Sequence, residues 1–257
     1  MLTNFTKMFS GGEISSTPYD TWYNIFLWLS SVLIVMLSLP QLYKIIKDKK
    51  TGNISFLSFW IFHIGILGWV IYGATNPHNL YNVVVADGTS IFVNGVMTYL
   101  LYHYKKDFTK KQKIMGAIGV AITWVVAIIF IILFVYDQKT TGAKLIQLPD
   151  KFSTIFGIIF PAFTTFAFAP QLIKSFKTKK WQGVSIWMFV IYEVNNIVWI
   201  IWWILGISKE LYVNPGQQPW SLIAGLIWQF ISLTIFGVQL AFTLYDRHLI
   251  KTGRKIE

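Results

Sequence analysis

Cysteine is absent from the 257 residues, which excludes disulfides and thiolate metal sites. Charge is scarce: Asp, Glu, Lys and Arg together make up 13% of the chain, against about 25% in a typical soluble protein. Acidic residues are the rarest of these, 11 against 22 basic ones. The four histidines, His63, His78, His103 and His248, show no ligand spacing. There is no Gly-rich phosphate loop and no plausible Ser-His-Asp set. No metal, cofactor or catalytic residue is therefore expected, and an enzyme is not the reading. Apolar residues fill the space left by charge: 54% of the chain is hydrophobic, 18% aromatic, and the mean hydropathy is +0.54.

The apolar residues arrive in runs long enough to cross about 30 Å of hydrocarbon. Seven are marked: Trp22–Tyr43, Ile54–Ala74, Leu80–Tyr104, Ile114–Tyr136, Phe152–Ile173, Val184–Ile207 and Trp220–Tyr245. A lipid-embedded backbone must satisfy its own hydrogen bonds, so each run is expected to be helical. Barrel strands would be shorter and would alternate. Met1–Asp20 lacks the order of basic, apolar and small residues that marks a cleaved signal.

Basic residues are sided. Four follow span one, five follow span three (Lys105 to Lys113), four follow span five and four follow span seven; these are 17 of the 22 Lys and Arg residues. Positive charge stays on the cytoplasmic side. The expected topology therefore has the N-terminus outside and the C-terminus inside, most simply in the plasma membrane. The net charge of +11 is explained by these short flanking loops and does not call for nucleic acid as a partner.

An internal repeat organises the spans. Pro40–Trp69 aligns without a gap on Pro170–Trp199, an offset of 130, and 11 of the 30 positions are identical. They include Pro-Gln-Leu, four lysines (44/174, 47/177, 49/179, 50/180), Ser55/Ser185 and Trp69/Trp199. Spans one to three and five to seven are then two copies in one orientation, joined by span four. The expected fold class is an all-α membrane protein of seven transmembrane helices in a 3+1+3 arrangement of two parallel triple-helix bundles. The divisions are an extracellular N-terminal segment (1–21), a first bundle (22–104), a linker carrying span four (105–151), a second bundle (152–246) and a cytoplasmic tail (247–257). Span four, with little polar beyond Thr123 and Trp124, reads as a lipid-facing connector.

These motifs resemble the PQ-loop superfamily. Ser38-Leu39-Pro40-Gln41-Leu42 and Phe168-Ala169-Pro170-Gln171-Leu172 look like its paired motifs, each followed by a basic loop and a Gly-x-Ser-like element. Trp69-Val70-Ile71-Tyr72-Gly73 is similar to the end of the second helix in SWEET and SemiSWEET sugar transporters. The resemblance implies two bundles rocking about a midplane site, with Pro40, Gln41, Pro170 and Gln171 at paired hinges of an inner gate. Proline there also removes a helical N–H and clashes one turn back, which loosens the helix independently of any family.

Three ionisable residues lie deep in spans: His63, Asp87 and Glu193. A charge at mid-bilayer costs at least about 2.5–3.5 kcal/mol on insertion scales, so such residues default to a functional reading. His63 and Glu193 are 130 apart, at equivalent depths, and are candidates for proton coupling together with Asp87. Counting back 18 residues from Lys105 and Arg247 reaches Asp87 and Gln229. The matching places in SWEET-like proteins usually hold asparagines that bond the sugar; an aspartate there favours a proton or a substrate amine. In span six, Glu193, Asn196, Trp199 and Trp203 follow helical spacing, and Asn195 resembles a family pocket position. Trp69, Asp87, Asn195, Asn196, Trp199 and Gln229 are the candidate substrate-binding residues.

The function expected is alternating-access transport of a small polar solute. A sugar is favoured by the resemblance, and a proton-coupled amino acid or vitamin by the ionisable residues. A non-transporting receptor like the KDEL receptor would need basic side chains in its cavity, and the middle thirds of the spans hold none. The expected partners are the solute, the bilayer and, in the second reading, protons.

Overall fold

The computed structural model describes residues 17–76, 81–140, 144–181, 184–213, 215–216 and 220–254. Most of the N-terminal segment, His78, Gly183 and residues 255–257 of the tail lie outside them. The described residues form helices α1 (Asp20–Met36), α2 (Leu39–Asp48), α3 (Phe56–Thr75), α4 (Tyr81–His103), α5 (Lys110–Lys139), α6 (Asp150–Phe166), α7 (Ala169–Thr178), α8 (Ile186–Val213) and α9 (Trp220–Lys251). They make seven spans long and apolar enough to cross a membrane, because α1 continues into α2 and α6 into α7.

The two breaks follow from the prolines. A proline ring clashes with the carbonyl four residues back. Helix α1 ends at Met36, four before Pro40, and α6 ends at Phe166, four before Pro170. The next helices each begin one residue before the proline, inside a first turn whose N–H groups have no intrahelical partner anyway. Both α2 and α7 then stop on a left-handed lysine, Lys49 at φ 47° and Lys179 at φ 55°. The repeat thus extends to the backbone.

Span three (α4) packs against spans one and two, and span seven (α9) against spans five and six, giving two bundles. Between the bundles, span one meets span six and span two meets span five. These two crossings exchange under the 130-residue offset, so the bundles are related by a pseudo-twofold axis. At the second crossing a side chain on Gly68 would begin 2.2 Å from the Phe160 ring, and one on Gly65 would begin 2.8 Å from Thr164. Both glycines are the absence of a side chain that lets α3 reach α6.

Span four is more than a lipid-facing connector. It packs on α3 and α4 of the first bundle. Trp124 donates to the Ile91 carbonyl at 3.1 Å, and its ring occupies the space a side chain on Gly95 would need. Only the opposite face, with Ile118, Ile122, Val125, Ile129 and Ile132, is exposed and faces lipid. A capping box at Thr109 and Gln112 starts the helix. Span six runs six residues past the expected Ile207, to Val213; Lys209 in that extension pairs with Asp20 at 2.6 Å.

Candidate functional site

The site is built in layers, beginning at the basic end. Gln41 and Gln171 are both buried and reach across the pseudo-axis. Gln41 Oε1 accepts from the Ser185 backbone N–H at 2.7 Å, and Gln171 Oε1 accepts from the Ser55 N–H at 2.5 Å. Each glutamine therefore caps the start of the other copy's second span, which explains why the Gln and Ser pairs share one offset. The Gln171 N–H, orphaned in the first turn of α7, donates to Ser58 Oγ at 2.8 Å. Lys174 Nζ donates to the Ile54 carbonyl and Asn53 Nδ2 to Thr178 Oγ1 at 3.1 Å. The two bundles are latched at this end.

Above the latch lies an aromatic plug. Phe168, fully buried, packs edge-on against Phe59, Phe189, Tyr192 and Phe236. Tyr192 and Phe236 stack with centroids 4.1 Å apart.

Above the plug is a cavity of about 110 Å³. It has room for several waters, at roughly 10–15 Å³ each on that measure. All six spans of the two bundles line it and α5 does not: Ile34 from α1 and Leu37 just past its end; Phe62, Ile66 and Trp69 from α3; Val83, Asp87 and Ser90 from α4; Pro161, Thr164 and Thr165 from α6; Tyr192, Asn195, Asn196, Trp199 and Trp203 from α8; Gly225, Trp228, Gln229, Ser232 and Phe236 from α9. Gln229 Nε2 donates to Asn196 Oδ1 at 2.5 Å, and Trp69 Nε1 to Thr164 Oγ1 at 3.4 Å. Asn195 Oδ1 and the Tyr192 hydroxyl are buried with no partner among the described residues. No Lys, Arg or His is among the described lining residues.

Every expected substrate-binding residue, Trp69, Asp87, Asn195, Asn196, Trp199 and Gln229, lies on this cavity. The proposed proton-coupling set does not stay together. Asp87 lines the cavity; His63 and Glu193 do not. His63 is enclosed between Asn94 and Thr123, with Nδ1 2.8 Å from Asn94 Oδ1 and Nε2 2.8 Å from Thr123 Oγ1, so both ring nitrogens are satisfied by uncharged groups of the first bundle and span four. Glu193 sits where α8 meets α9, its carboxylate 3.5 Å from the place a Gly237 side chain would begin, with Oε1 buried and unpartnered among the described residues. The cavity face of α8 runs through Tyr192, Asn195, Asn196, Trp199 and Trp203, and one residue further along is turned by about 100°. Tyr192, not Glu193, begins that face.

Sequence reasoning also missed Asn94. Its Nδ2 donates to Ser38 Oγ at 2.9 Å, tying span three to the Pro40 break. The signal was present: Asp87, Ser90, Asn94 and Thr98 are spaced three, four and four apart and all are buried. That is one polar stripe on α4.

A cavity on the axis between two equivalent halves, with a few polar groups in an apolar wall and a latch at one end, defines a membrane carrier built from a duplicated three-helix unit. Comparison with known proteins agrees. The PQ loop repeat family matches residues 22–82 and 152–209. The chain is 41% identical over 84 residues, 33% of its own length and 83% of the relative's, to the sugar transporter SemiSWEET of Escherichia coli (strain UMEA 3162-1). It is 24% identical over 202 residues, 77% of this chain and 72% of the relative, to the bidirectional sugar transporter SWEET7 of Arabidopsis thaliana. A solved eukaryotic SWEET transporter shares the fold, with a TM-score of 0.54 over 88% of this chain and 99% of that one at 14% identity. The chain belongs to the PQ-loop superfamily and is SWEET-like within it.

Proposed function

We propose that the protein carries a sugar of monosaccharide size across the plasma membrane by alternating access. The observation that carries this reading is the cavity itself, where repeat-paired indoles, Trp69 and Trp199, stand with Asp87, Asn195, Asn196 and Gln229. A sugar offers apolar C–H faces to the indole rings and hydroxyls to the amides and carboxylate, the combination of walls and polar groups this cavity presents. The bundles 22–104 and 152–246 are the moving units, Pro40 and Pro170 their hinges, and the Gln41 and Gln171 latch the inner gate. In this reading the sealed basic end is cytoplasmic.

The test is radiolabelled glucose in proteoliposomes of the purified protein. Saturable exchange in both directions is expected, and Trp199→Ala should lower glucose kcat/KM roughly tenfold or more, the equivalent of about 1.4 kcal/mol of lost binding. Flux no greater than through protein-free vesicles contradicts the reading.

One observation favours a second reading. Asp87 is a buried carboxylate on the cavity, placed to carry a proton with the solute, a role for which His63 and Glu193 are set outside the cavity. A zwitterionic amino acid fits less well, because its carboxylate would meet Asp87 with no cation among the described lining residues. The same lack of basic groups counts against a receptor for a peptide carboxylate.

The orientation has its own test, aided by the cysteine-free chain. Single cysteines at Leu145, which is 64% exposed, and at exposed Gly216 should react with an impermeant thiol reagent on intact cells. Cysteines at Asp107 and Lys180, also exposed, should react only after permeabilisation. The reverse pattern would place the N-terminus inside.

A further inference from the structure

We propose that the preferred solute is a sugar bearing a protonated amine, held by Asp87. This rests on the sugar-carrier reading above and narrows it. Asp87 is 5% exposed, it lines the cavity, and it has no hydrogen-bond or ion-pair partner among the described residues. Asp137 is the other acid buried to this degree whose partners are defined. Its carboxylate accepts from the Leu145 and Ile146 N–H groups at 2.8 and 3.0 Å. A carboxylate removed from water is costly unless a cation or hydrogen-bond donors compensate it, and the described cavity wall supplies no cation. The compensating charge is then brought by what enters.

Two further features fit a cation. Trp69, Trp199, Trp203 and Trp228 present indole to the same space, and indole faces attract ammonium groups as well as sugar C–H. The cavity is also polarised across the pseudo-axis. Counting back equally from the basic ends of spans three and seven places Asp87 in the first bundle and Gln229, a neutral amide, in the second. Gln229 is engaged with Asn196, whereas Asp87 has no partner among the described residues. A neutral symmetric sugar site has no need of a single charge on one side. A solute with one ammonium and several hydroxyls is oriented by it, the amine toward α4 and the hydroxyls toward Asn195 and Gln229.

The test compares three probes of similar shape in proteoliposomes at pH 6.5: glucosamine, which carries the ammonium; N-acetylglucosamine, which has the nitrogen without the charge; and glucose. Wild-type protein should take up glucosamine with a KM roughly tenfold or more below that for glucose, the size expected of about 1.4 kcal/mol from one charge-assisted contact. N-acetylglucosamine should show no such preference. Asp87→Asn, which keeps the shape, should erase the glucosamine advantage, bringing the ratio of the glucosamine and glucose KM values to about one whatever the absolute flux. Asp87→Glu, which keeps the charge, should retain the advantage, so a folding defect in one variant cannot decide the outcome. Equal handling of glucose and glucosamine by wild type overturns the proposal while leaving the sugar carrier intact. So does glucose uptake driven by an imposed pH gradient and lost in Asp87→Asn, because the carboxyl then serves a proton. Absence of flux for all three probes removes the carrier reading and the proposal with it.

Discussion

Gly68→Val should reduce glucose exchange at least tenfold, and Phe160→Ser placed in the same chain should restore it to within a few-fold of wild type. A side chain on Gly68 would start 2.2 Å from Cδ1 and 2.5 Å from Cε1 of Phe160, well inside any tolerated contact. A phenyl ring in a packed helix crossing cannot give way as a lysine tip could. Overpacking of this kind costs roughly 1–3 kcal/mol, and here the cost falls on the crossing about which the bundles are proposed to move. The offset of 130 supplies the remedy. The residues equivalent to Gly68 and Phe160 at the other crossing are Val198 and Ser30, both buried. At one crossing the second span brings the small residue and the first span of the opposite bundle the large one; at the equivalent positions of the other crossing the sizes are reversed. The double variant therefore copies a solution the chain already uses. Restoration by Phe160→Ser would show coupling between neighbours, whereas equal loss in the single and double variants would mean that the damage arises elsewhere.

The second large effect is expected at the latch. Gln41→Leu with Gln171→Leu should shift the protein toward an arrangement open at the basic end. Each leucine leaves a Ser185 or Ser55 backbone N–H without the acceptor it now has at 2.7 and 2.5 Å. A buried donor left unsatisfied costs about 1–3 kcal/mol. The penalty is confined to the latched state, since in the opened state both N–H groups meet water. Two such losses amount to roughly 2–6 kcal/mol, a shift in the opening equilibrium of about thirtyfold or more. Either single variant should give a smaller shift, because the other glutamine still holds its serine. The hinge proposed at Pro40 and Pro170 needs no new strain to allow this motion, because a proline has no N–H to give to the helical ladder.

Much of this was legible in the sequence because duplication gives each signal twice. The paired Pro-Gln and Ser positions are meaningful at one offset, and the structure joins them by hydrogen bonds across the axis. Span count and fold class followed from run length and sided charge. The cavity residues Trp69 and Trp199 followed from the repeat, and Asp87 and Gln229 from equal distance to the basic ends. The place of Glu193 did not follow. Sequence equivalence with His63 gives depth in the membrane but not the face of the helix, and one residue changes the face by about 100°. His63 itself is satisfied by Thr123 of span four, an element with no counterpart in the second bundle, so symmetry could not foretell that contact. Trp228 and Thr164 enter the cavity through the crossing of bundles, which no periodicity within one span encodes. The Gly68 and Phe160 pair is hidden for the same reason.

The two equivalent bundles are proposed to rock about the cavity, opening and closing the basic end. Spin labels on cysteines at Lys50 and Lys180, repeat-equivalent exposed positions at the ends of α2 and α7, measure it directly by pulsed dipolar spectroscopy in lipid. The cysteine-free background leaves no competing label. A short distance corresponding to the latched arrangement is expected, with a longer one whose population grows on glucose addition and dominates in Gln41→Leu/Gln171→Leu. One distance, unchanged by solute and by loss of both glutamines in protein that still exchanges glucose, would contradict the rocking motion.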